Sequence, residues 1–191
     1  YFADHAFSIW HLFRDEKRKI LKEITDRSLE QAEASFRSIY NENYQLMLGM
    51  QQSNIPVPEA YQSVTKYVVN ADLQQFFEQK TLSLNELHRL RREMKKWQIK
   101  LVDIKGFKLA ASERIFKEVQ RISQNGSTPE EIELLKEIIQ ALYKMGIELD
   151  LWKSQNLFYS AIQKHNKKEV LLSNGDWLKV YVELGQLLKV R

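Results

Sequence analysis

The run Leu149-Asp150-Leu151-Trp152-Lys153-Ser154-Gln155-Asn156-Leu157-Phe158-Tyr159 gathers the side chains of this sequence best suited to recognition chemistry. At helical spacing Trp152, Gln155, Asn156 and Tyr159 fall at i, i+3, i+4 and i+7, so they form one stripe of flat rings and amides. Leu151, Phe158 and Ile162 make a separate, apolar stripe on the same helix. An amide both donates and accepts hydrogen bonds, and an indole or phenol ring pairs an apolar face with a polar edge. Three uses fit that combination: a polar network inside a bundle, an interface with another domain, or contacts to sugar hydroxyls. Trp152, Gln155, Asn156 and Tyr159 are therefore the candidate contact residues, for carbohydrate or for a domain interface.

Other constellations carry less. His5 and His11 sit near Asp4, Asp15 and Glu16, and a helix would put His11 and Asp15 on one face. Yet the two histidines lack ligand spacing and no H-E-x-x-H motif occurs, so no metal site is expected. His88 and His165 are isolated. Glycosidase chemistry needs two carboxyl groups facing each other across a cleft, one with a raised pKa. The 25 acidic residues instead spread over the polar faces of amphipathic segments and single out no such pair. Phosphate-binding glycine loops and nucleophile elbows are absent as well. No catalytic residue and no cofactor are expected.

The elements that must position these residues are helices. Only 3 prolines and 6 glycines punctuate 191 residues, too few turns for a many-stranded β fold, and 43% apolar residues suffice for a real core. Ile9, Phe13, Ile20, Ile24, Phe36, Ile39, Tyr40 and Met47 recur at helical spacing, as one long helix or two in line. The pattern Ser28-x-x-Gln31 offers a second helix start and a kink near Asp26. Pro56 and Pro58 end this segment. A second helix runs from Pro58 toward Gln79, with Ala60, Val64, Tyr67, Val68 and Ala71 inward. Ser83 and Glu86 form a capping box for a third, reaching Trp97. A fourth spans Phe107 to Ile122 and carries Leu109, Ile115, Phe116, Val119 and Ile122, with Asn125-Gly126 to stop it. Thr128-Pro129-Glu130-Glu131 is the strongest local signal, opening a helix to Met145 that Gly146 ends. Another helix covers Asp150 to His165. Asn174-Gly175 beside Val180-Tyr181-Val182 could turn a hairpin, but Trp177, Tyr181, Leu184 and Leu188 fit helical spacing better. The expected fold is all-α, an irregular multi-helix bundle of six to eight helices forming a single domain over 1–191.

Charge and composition bound the partners. The net charge of +4 is local, since His88 to Arg121 holds 11 Lys/Arg against 4 Asp/Glu. No known nucleic-acid-binding motif is present there, so a solvated helix face is expected rather than a nucleic-acid site. No apolar run approaches the ~20 residues of a membrane span, so no membrane partner is expected. The absence of cysteine excludes disulfides and thiolate chemistry and suits a reducing cytoplasm. The chain opens on Tyr1 and Phe2, directly in amphipathic sequence, as a fragment of a larger protein would.

Four stretches carry a resemblance. His11-Leu12-Phe13-Arg14-Asp15-Glu16-Lys17-Arg18-Lys19-Ile20-Leu21, Ile39-Tyr40, Asn70-Ala71-Asp72-Leu73 and Leu151-Trp152-Lys153-Ser154-Gln155-Asn156-Leu157 resemble, in order, the carboxy-terminal region of bacterial proteins related to glycoside hydrolase family 57. That region is known as domain of unknown function 3536. The resemblance implies an accessory helical domain that follows an amino-terminal catalytic barrel of the same polypeptide, similar to α-amylases and other α-glucan enzymes. It implies that barrel and α-glucan as partners, with the catalytic carboxylates in the barrel. No position here matches the barrel's motifs, so no catalytic residue carries over, and likeness of fold would not by itself establish activity.

Overall fold

The computed structural model describes residues 9–125, 128–165 and 175–189, with side chains over 14–123, 128–161 and 179–189. Seven α-helices and no strand occur among them: α1 Ile9–Gln52, α2 Glu59–Glu78, α3 Leu84–Lys96, α4 Ile104–Asn125, α5 Pro129–Lys144, α6 Trp152–His165 and α7 Gly175–Leu187. The fold is all-α, as the spacing predicts. The chain divides into two compact units, Tyr1–Val68 and Val69–Arg191, with the division inside α2.

In the first unit α1 runs unbroken for 44 residues. The second helix start offered at Ser28 is not used, since α1 continues through it, and no proline occurs before Pro56 to interrupt the i→i−4 ladder. Pro56 and Pro58 do separate α1 from α2. The carboxy-terminal part of α1 packs on the start of α2. Phe36 meets the Tyr67 ring at 4.8 Å, Tyr61 Oη donates to Asn43 Oδ1 at 3.1 Å, and Met47 is buried with its sulfur accepting from Thr65 Oγ1 at 3.6 Å. Of the apolar residues at helical spacing, Ile20, Ile24 and Ile39 are exposed, and so is every residue from Arg14 to Gln31.

The second unit is a bundle in which α4 packs on α6, α5 on α7, and both α3 and α4 on α5. Leu73 and Phe76 at the end of α2 join Leu87, Ile115, Val119, Ile132, Ile139, Leu142, Phe158 and Leu184 in one buried cluster. Burial of each such side chain contributes roughly 1.5–3 kcal/mol. α4 turns inward along Phe107, Ala111, Ile115, Val119 and Ile122, spaced by three or four. Leu109, another apolar residue of this helix, lies off that arc and is 65% exposed.

The helix ends follow their local chemistry. Thr128 Oγ1 accepts from Glu131 N–H while the Glu131 carboxylate accepts from Thr128 N–H, a complete capping box with Pro129 in the first turn. Ser83 accepts from Glu86 N–H, but Glu86 Oε1 takes the Gln79 amide, so the expected reciprocal box is only half formed. Asp103 caps α4 through Gly106 N–H at 2.8 Å, and a Cβ at Gly106 would fall on that carboxylate. Gly146 ends the α5 segment at φ +79°, a conformation natural to glycine. Gly175–Leu187 is helical and not a hairpin. The Trp177 side chain lies outside the described residues.

Candidate functional site

The amino-terminal turn of α6 is fixed by a small relay of hydrogen bonds from α4. Ser112, almost fully buried, donates to the Lys108 carbonyl at 2.7 Å and accepts from Asp150 N–H at 2.8 Å. Asp150 Oδ1 in turn accepts from Trp152 N–H at 3.2 Å, which satisfies one of the orphan donors at the start of the helix. Leu151 is buried between these polar anchors, and the α6 core stripe continues through Ser154, Phe158 and Ala161. Phe158 stacks on Tyr181 of α7 with ring centroids 4.4 Å apart. Burial pushes the Tyr181 phenol up to about 12. The Ile162 side chain, expected in this stripe, lies outside the described residues.

With that stripe buried, Trp152 projects outward and is 67% exposed. Asn156 and Tyr159 share its outer face and are also exposed. Gln155 departs from the expected group of four. It is half-buried, and its Nε2 donates to the Leu188 carbonyl at 2.7 Å, closing the end of α7. Three of the four residues therefore form an accessible face, while the fourth holds two helices together. Helical spacing alone could not separate them, because the acceptor for Gln155 comes from 33 residues further along the chain.

Trp152 also forms one wall of a groove of about 230 Å³ between α4 and α6. Lys105, Lys108, Leu109, Ser112, Glu113, Asp150 and Lys153 complete its lining. Lys153 Nζ lies 3.3 Å from Glu113 Oε1, both more than half exposed, so this ion pair adds little stability and leaves both groups accessible to a ligand. Trp152 and Leu109 supply apolar surface, and the lysines and carboxylates supply donors and acceptors around it. Ser112 is no nucleophile here, because both its hydrogen bonds go to backbone groups rather than to a base. Sequence spacing missed the α4 side of this groove. Its one visible signal is Leu109, an apolar residue out of phase with the buried arc of its helix.

A second groove, of about 260 Å³, lies along α4 and α5 and is lined in part by Lys80, Glu118, Arg121 and Glu131. Its charges largely satisfy one another. Arg121 donates to Glu118 at 3.1 Å and to Glu131 at 2.8 Å, and Arg114 donates to Glu118 at 2.6 Å and to the Lys80 carbonyl at 2.9 Å. The Arg121 hydrogen bond holds the Glu131 carboxyl below its usual range. This network also engages cations of the basic segment, as do Arg89 with Asp72 at 3.7 Å and Lys96 with Glu93 at 2.7 Å.

No group of histidines and carboxylates among the described residues is arranged to hold a metal ion. His5 lies outside the described residues, as do the side chains of His11 and His165. No described helix is long and apolar enough to cross a membrane. No protein-family model matches the chain, and no curated protein or solved structure is detectably similar to it.

Proposed function

We propose that the chain is a non-catalytic accessory helical domain of a cytoplasmic, glycoside hydrolase family 57-like protein, and that the Trp152 face meets an α-glucan beside the catalytic barrel of the same polypeptide. The observation that carries this reading is the Trp152 indole, 67% exposed on the wall of a groove with hydrogen-bonding groups around it. A large ring held outward by a fixed helix start, next to an exposed Leu109, makes an apolar patch with a polar rim, the kind of surface that marks a contact site. A pyranose ring has the complementary anatomy, with an apolar C–H face for the indole and hydroxyls for Lys105, Glu113, Lys153 and Asn156. The family and the substrate class rest on the four sequence stretches, and the cytoplasmic placement on the absence of cysteine.

A docking role against the barrel is the second reading. It is favoured by Asn156 and by Tyr159, 50% exposed, which extend the face beyond the groove along α6. Calorimetric titration of the chain with a linear α-1,4-linked malto-oligosaccharide separates the two. Binding that weakens on the order of tenfold in Trp152→Ala, with the melting temperature little changed, supports glucan contact. Absence of binding by the wild-type chain, or equal affinity in the variant, removes the sugar role and leaves docking.

A further inference from the structure

The amino-terminal half of α1 presents an apolar seam that nothing in the described structure covers. Ile20, Leu21 and Ile24 are 57%, 63% and 59% exposed, and at 100° per residue they fall within one arc of about 100°. Every residue from Arg14 to Gln31 is exposed, five turns of helix that bury none of their side chains among the described residues. Helices in water draw most of their stability from packing an amphipathic face. The charges flanking the seam are segregated along the axis. From Arg14 to Lys22 there are five cations against the carboxylates of Asp15 and Glu16, whereas from Glu23 to Glu33 there are four carboxylates against Arg27 alone.

That segregation specifies a partner. A second copy laid parallel would put basic against basic and acidic against acidic. Laid antiparallel, its basic stretch meets the acidic one at both ends, and Ile20 of one copy comes level with Ile24 of the other. We infer that two copies of this chain associate through antiparallel pairing of their α1 helices over residues 14–33. The seam is narrow and falls short of the ~1,200 Å² typical of stable complexes, so the dimer is a weak, concentration-dependent one.

Sedimentation of the whole chain over rising concentration tests this directly. The expected result is a monomer–dimer equilibrium whose dissociation constant rises on the order of tenfold or more in Ile24→Lys, with helical circular dichroism unchanged. Glu23→Lys/Glu30→Lys should likewise weaken self-association, and mixing it with Arg14→Glu/Lys17→Glu should restore a mixed dimer. Because the chain has no cysteine, orientation can be read from disulfides. Ile20→Cys mixed with Ile24→Cys should cross-link to each other in preference to themselves. A chain monomeric at all concentrations would mean that the seam belongs to a different partner and would overturn the inference. So would a dimer indifferent to Ile24→Lys, or disulfides formed only between like variants.

Discussion

At the scale of single residues, Ser112 anchors the backbone from which Trp152 projects. Its hydroxyl joins the Lys108 carbonyl of α4 to the Asp150 N–H, and Asp150 then receives the Trp152 N–H. Replacing Ser112 with alanine removes the acceptor for a part-buried backbone donor, at a cost of about 1–3 kcal/mol. Urea unfolding of Ser112→Ala should show that loss, together with weakened malto-oligosaccharide binding, since the indole would no longer be held against the groove. Unchanged stability and unchanged binding would show that Ser112 does not position the site. Lys153 and Glu113 offer a contrast, because their exposed pair contributes little to folding and leaves both groups open to solvent at the groove.

At the scale of elements, Lys136 on α5 ties α5 to α7. Its side chain is largely buried, and its ammonium contacts Glu133 at 2.7 Å and Glu183 of α7 at 2.5 Å. Burial works against its charge, but the hydrogen bonds to Glu133 and Glu183 outweigh it and hold Lys136 above its usual range. The same contact holds Glu183 below the usual carboxylate range. For Lys136, whose folded pKa exceeds the unfolded value near 10.5, the contribution is present below that value and is lost as pH rises through the folded pKa. For Glu183 it is present above about 4.5 and is lost as pH falls through the folded pKa. The melting-temperature difference between wild type and Lys136→Met should therefore be constant between these limits and change on both sides. The test lies in this pH dependence and not in the plateau itself, because an apolar replacement of a buried charge can offset the lost ion pairs. Parallel curves across the whole pH range would contradict the link.

Local signals are the legible ones: Thr128 with Pro129 and Glu131 marks the start of α5, and Pro56 follows the end of α1 by four residues. The groove was not legible, because Leu109 and Ser112 meet Asp150 and Trp152 only after α4 and α6 pack, about forty positions apart in sequence. Gln155 was misplaced for the same reason, its partner Leu188 belonging to the end of another helix segment. Ile20 and Ile24 were legible as an apolar stripe but not as an exposed one, since periodicity reports that a face is apolar and not what covers it.

At the scale of the whole molecule, the chain is an all-α protein whose second unit presents Trp152, Asn156 and Tyr159 on one accessible face of α6. Its apolar positions supply the core of each unit, and ion pairs such as Arg121 with Glu118 and Lys136 with Glu183 join neighbouring parts of the second. The proposed role is contact with glucan without catalysis, and the most direct test is an NMR titration that watches indole N–H signals. The sequence has four tryptophans, so the indole region holds four assignable peaks. On addition of a malto-oligosaccharide the Trp152 peak should shift and saturate, with Lys105, Glu113 and Asn156 amides following the same curve and Trp97 staying still. A Trp152 peak that does not move at any glucan concentration, or a response centred on Trp97, would contradict the account.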